Sequence, residues 1–85
     1  MHLAVEDLQK IQHHVQRVSH SVTFNADESF TCRRPCDAVA GAEQFASDLQ
    51  RALVAARRKI QIMSKVTEQF GPNLLYAVVR FTVIR

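Results

Sequence analysis

The segment from Asp37 to Phe70 constrains this 85-residue chain more than any other, because apolar residues recur through it at helical intervals. Ala42, Phe45, Ala46, Leu49, Ala52, Leu53, Ala56, Ile60, Met63 and Phe70 fall on one side of a continuous helix. On the other side Arg51, Arg58 and Lys65 follow one another at seven-residue steps, nearly two full turns, which aligns them in a row about 10 Å apart. The segment therefore reads as one rod about 50 Å long, with an apolar seam that folds and a cationic face free to meet a polyanion. Gly71-Pro72-Asn73 ends it, since Gly suits the position after a helix and Pro cannot continue one.

A second helix is expected over residues 2–19, from His2 to Ser19, where Ala4, Leu8, Ile11, Val15 and Val18 recur in steps of four and three. Its polar side carries Lys10, His13, His14 and Arg17, the two permanent cations again seven apart. Glu6 and Asp7 near its start and Arg17 near its end also complement the helix dipole. The connection from Ser21 to Cys36 is rich in Ser, Thr, Asn and Asp. A short hairpin of Val22–Phe24 with Ser29–Thr31 is compatible with it, and an ordered loop tucking Val22, Phe24 and Phe30 onto the helices is the preferred reading. Asp37 then lies at the N-terminus of the long helix, and Gly41 weakens its first turns.

After Asn73, residues 74–84 are apolar apart from Arg80 and Thr82. Val78, Val79, Val83 and Ile84 favour a strand, whereas Leu74-Leu75-Tyr76-Ala77 favours a short helix packed across the end of a bundle, which is preferred. So much apolar surface requires cover, and a second copy of the chain is the simplest one. The fold class expected is all-α: a helical hairpin with one very long second helix and a short C-terminal helix, pairing as an antiparallel four-helix-bundle homodimer. Residues 1–85 form its single domain. The expected core and dimer seam comprise Leu8, Ile11, Val15, Phe45, Leu49, Ala52, Ala56, Ile60 and Met63.

Composition narrows the function. The formal charge of +3 is modestly basic, and 47% hydrophobic residues exclude a disordered chain. No secretory leader and no membrane-length apolar run is evident, so a reducing, cytoplasmic setting is the default and a Cys32–Cys36 disulfide is not assumed. Cys-x3-Cys lacks the spacing of a zinc knuckle, and no metal or cofactor is expected. No paired carboxylates, nucleophile triad or Gly-rich phosphate loop emerges, so an enzyme is not expected, nor a small-molecule substrate. The stretch between Asp48 and Lys65 contains no acidic residue to pair with its cations, unlike an ordinary solvated helix. A long cationic rod without aromatics suits the backbone of double-stranded RNA better than a DNA groove or a single strand.

The run Asp48-Leu49 through Leu53-Val54-Ala55-Ala56-Arg57-Arg58-Lys59-Ile60 to Met63, then a Pro and the apolar Leu74-Leu75-Tyr76-Ala77, resembles the small RNA-silencing suppressors of nodaviruses over residues 3–79, from Leu3 to Val79. That resemblance implies an α-helical homodimer that binds double-stranded RNA without sequence preference and keeps it from the silencing machinery of an infected cell. By it, Arg51, Arg58 and Lys65, with Lys10 and Arg17 from the first helix and His14 and Arg57 beside them, are the expected RNA contacts. The alternative is a small helical protein-interaction module, a chaperone or assembly subunit, whose cations meet an acidic protein partner.

Overall fold

The computed structural model describes residues 4–84. His2 and Leu3, where the first helix and the resemblance were expected to begin, lie outside the described residues. The element order is α1 (Val5–Gln16), β1 (Ser21–Phe24), β2 (Phe30–Cys36), α2 (Gly41–Ala55), β3 (Lys59–Gly71) and β4 (Leu74–Ile84). The expected all-α four-helix bundle is thereby overturned: two antiparallel hairpins join into one four-stranded sheet of order β1-β2-β4-β3, with α1 and α2 on one face.

The long rod breaks at Ala56. Leu53 and Val54 are capped by the backbone N–H groups of Arg58 and Arg57, at 2.8 and 2.9 Å. These are the paired closing bonds of a Schellman turn, in which the residue after the cap adopts a left-handed conformation. That residue is Arg57, with φ 61°. Beyond it the helical spacing of Ile60, Met63 and Phe70 is coincidental. Lys59-Ile60-Gln61-Ile62 alternates polar and apolar, and β-branched residues favour the strand that forms. At its other end α2 begins at Gly41, with Ala40 as its N-cap, so Asp37 belongs to the preceding turn.

Gly71-Pro72-Asn73 is a hairpin corner and not the end of a helix. Gly71 pairs with Leu74 across the two-residue turn Pro72-Asn73, with Pro presetting the first turn dihedral. The apolar tail is accordingly strand β4, the central strand beside β2, and the connection from Ser21 to Cys36 is the β1–β2 hairpin. Val22, Phe24 and Phe30 sit in its strands rather than in a loop.

Strand alternation divides the sheet into two faces. Ala77, Val79, Phe81 and Val83 of β4 and Phe30 and Cys32 of β2 are buried beneath Ile11 and Val15 of α1 and Ala42, Phe45, Ala46, Leu49 and Leu53 of α2. Phe30 and Phe81, paired across β2 and β4, stack with ring centres 5.3 Å apart. Leu8, Ala52 and Ile60 pack partly buried at the margin of this core, Ala56 is half-buried, and Met63 sits 48% exposed at a β3 bulge. The Arg34 guanidinium closes the layer on one side, 4.5 Å over the Phe45 ring and 2.9 Å from Asp48. The opposite face of the sheet carries no described helix.

Candidate nucleic-acid interface

Once the rod is broken, the seven expected RNA contacts separate into three places. Arg51 remains on α2 and donates to Asp48 at 2.5 Å, in a shallow hollow with Gln44, Ser47, Gln50 and Val54. Although partial burial of the Asp48 carboxyl opposes it, hydrogen bonds from Arg51, Arg34 and Gln44 hold that group below the usual carboxylate range. Lys65 lies on β3, where its Nζ is 2.8 Å from the Glu43 carboxylate at the start of α2. Neither residue stands in a row with Arg58.

The remaining cations converge. Lys10 and His14 of α1 and Arg17, its C-cap with a helical backbone, follow one another by four and three residues, which places them along one helical edge over roughly 10 Å. That edge faces the C-terminal half of α2. Lys10 and His14 line one hollow with Asp7, Ile11, Ala56 and Arg58, while His14 and Arg17 line its neighbour with Val18, Ala52 and Ala55. His14 is thus common to both, and the pair forms a continuous groove between the helices with small alanines for its floor. The Schellman turn directs Arg58 back to α1, where its guanidinium meets the Asp7 carboxylate at 2.8 Å. Arg57 is exposed in the same turn.

Charged side chains line the groove. Its cations are Lys10, Arg17 and Arg58, and its acid, Asp7, engages Arg58 through one carboxylate oxygen, leaving other guanidinium N–H groups to donate outward. Neither hollow is lined by Phe, Tyr or Trp, and the ring the two share is the His14 imidazole. Among the described residues no three His, Cys, Asp or Glu side chains gather as a metal site, and no helix is long and apolar enough to cross a membrane. Cys32 and Cys36 lie on one strand, four residues and thus about 13 Å apart, too far to bridge.

Two charged residues that the spacing passed over have structural work. Arg34 ties β2 to α2, as described above. Arg80, in the middle of β4, donates to the Ser29 hydroxyl at 3.0 Å and pairs with Asp27, which pins the β1–β2 turn to the sheet. Ser29, fully buried, donates in turn to Asp27 at 2.5 Å and accepts from Asn25 at 3.0 Å. The Ser29 hydroxyl and backbone N–H, together with Arg80, keep the Asp27 carboxyl below its ordinary range. A strand reading of residues 74–84 would have drawn attention to Arg80 as the one charge in an apolar strand.

Comparison of the chain with family profiles, curated proteins and solved structures finds no match.

Proposed function

We propose that this protein binds double-stranded RNA through its backbone, without sequence preference, and withholds the duplex from enzymes that process it, those of RNA silencing included. The observation that carries the reading is the convergence of Lys10, His14 and Arg17 from α1 with Arg58 from the α2 turn around one groove. Phosphates of a duplex lie across the groove and accept from Lys10, Arg17 and the free N–H groups of Arg58, while the alanine floor allows close approach. Small side chains and unbranched cations fit a partner recognised by shape and charge, as A-form RNA is, rather than by base edges. The groove offers the single imidazole of His14 and no Phe, Tyr or Trp, short of the row of rings on which successive bases of a single strand stack.

Mobility shift of a short RNA duplex, run beside the same DNA duplex and a single strand at several salt concentrations, tests the proposal. Duplex RNA should bind best, and log affinity should fall linearly with log salt by about 0.9 per phosphate contact if the DNA value carries over. Lys10→Ala with Arg17→Ala should abolish the shift while the circular dichroism spectrum is retained. Equal binding of all three nucleic acids, or an unaffected double variant, would leave the groove to an acidic protein partner instead.

A further inference from the structure

The helix-free face of the sheet is polar at one end, where Ser64, Arg80 and Thr31 lie in one row and Gln61 and Thr82 in the next, and apolar toward the β3–β4 turn. Reading across the register, Val78 of β4 lies between Arg33 of β2 and Val66 of β3, and Tyr76 lies between Pro35 and Glu68. Leu74 and Phe70 extend the apolar surface to the hairpin end, where the Phe70 and Tyr76 rings meet edge to face at 5.4 Å. Val66, Phe70 and Leu74 are 48%, 57% and 45% exposed. One-faced antiparallel sheets ordinarily place polar residues at such positions. The arrangement of charge around this surface is specific: Arg33 and Glu68 flank β4 on opposite sides, one pair apart along the strand, and neither has an ion-pair partner among the described residues.

We infer that this face binds a second copy of the chain, sheet against sheet, about a two-fold axis running along β4. Such an axis sets Tyr76 and Val78 against their own copies and exchanges the two flanks, so that Arg33 of each protomer lies over β3 of the other. Glu68 of the partner is then one step along the strand. Two sheets pack about 10 Å apart, a gap the two long side chains close from both sides, and the symmetry makes the Arg33–Glu68 pair twice. Eleven residues of β4, the β3 residues paired with them and the seven of β2, at about 3.4 Å along the strands and about 4.8 Å across them, give a footprint on the order of 500 Å² a side, near the lower bound of a specific interface. A chain this short, with its core cluster on one sheet face and only Val78 buried among the residues named on the other, also gains the burial that small domains lack. The helices, and with them the cationic groove, remain outermost on both sides.

Charge reversal with rescue tests this, with sedimentation equilibrium as the readout and circular dichroism to show that each variant folds. The natural chain is expected to be a dimer at micromolar concentration. Glu68→Arg alone, and Arg33→Glu alone, should each raise the dissociation constant more than about tenfold by setting like charges opposite one another. The doubly reversed chain, Arg33→Glu with Glu68→Arg, should dimerise again. Tyr76 is the single Tyr of a chain without Trp, so intrinsic fluorescence reports the centre of the interface directly and should change with the same concentration dependence. A monomeric natural chain, a dimer indifferent to Glu68→Arg, or a double variant that stays apart would each overturn the inference. So would a monomer whose Tyr76 emission responds instead to a single-stranded oligonucleotide, which would give the face to nucleobases.

Discussion

The Arg58 guanidinium stands 2.8 Å from the Asp7 carboxylate, joining the turn that ends α2 to the first turns of α1. Both side chains are about one-third exposed, so the pair is worth little to stability, on the order of 1 kcal/mol or less. Its larger effect is on the groove, where Asp7 is the acid nearest the sites proposed for phosphate. Asp7→Asn should therefore tighten duplex binding by about two- to fivefold and steepen its salt dependence, with a change in melting temperature of a few degrees at most. Unchanged affinity in a mobility-shift titration would remove Arg58 from the binding surface.

Arg57 occupies a position that the backbone would rather give to glycine. Its φ of 61° is left-handed, which costs a residue with a side chain roughly 1 kcal/mol, and Gly is the usual occupant of this place in a Schellman turn. Arg57→Gly should raise stability by about that amount, several degrees in melting temperature for a domain of this size. If the arginine serves the cationic surface, the same variant should bind duplex RNA less well. A gain of stability with no loss of binding would show the residue to be dispensable there.

That arginine also explains why the break in the long helix is hard to read. The helical period holds from Gly41 to Ala55, and α1 shows the same period, so both helices are legible from their apolar seams. The stop signal after α2 is a backbone turn built by Arg57 and Arg58, residues that ordinarily favour helix. Downstream, Ile60, Met63 and Phe70 fall at helical intervals, and the bulge at Met63 interrupts the strand alternation that would have contradicted them. Four alternating residues, Lys59 to Ile62, and the β-branched Val66-Thr67 were the available signal. The candidate groove is legible only as far as the helices that form it. Lys10, His14 and Arg17 share an edge because α1 is a helix, Arg58 reaches them only through tertiary structure, and Arg51 and Lys65 were joined to Arg58 only by the rod.

Gly41 is a case in which local propensity and packing point in opposite directions. A Cβ there would lie 2.5 Å from the Cys36 Cβ and 2.7 Å from its Sγ, so the first turn of α2 rests directly on the end of β2. By helix propensity alone, Gly41→Ala should gain about 1 kcal/mol. Overpacking against Cys36 costs about 1–3 kcal/mol and should win, because the opposing atoms include a Cβ fixed to a paired strand. The variant is expected to melt below the natural chain. A higher melting temperature would mean that the helix can lift from the strand without cost.

The two cysteines differ in surroundings and should differ in chemistry. Cys32 is fully buried beneath the helices, and burial, partly offset by the Ser19 hydroxyl, pushes its thiol up to about 12 from 9.0. Cys36 is half-buried and borders the hollow beside the α2 N-terminus. At mildly alkaline pH a thiol reagent such as DTNB should modify one cysteine per folded chain, Cys36, and both after unfolding in denaturant. Since the Cys32 thiol is favoured neutral in the fold, its contribution to stability is full below about pH 9 and declines as the pH rises toward 12, where the unfolded chain gains from ionising it. Cys32→Ala should flatten that alkaline decline in a denaturant titration while lowering stability at neutral pH through the volume it removes from the core. Rapid modification of both cysteines in the folded chain would show instead that the layer over β2 opens on the timescale of the reagent.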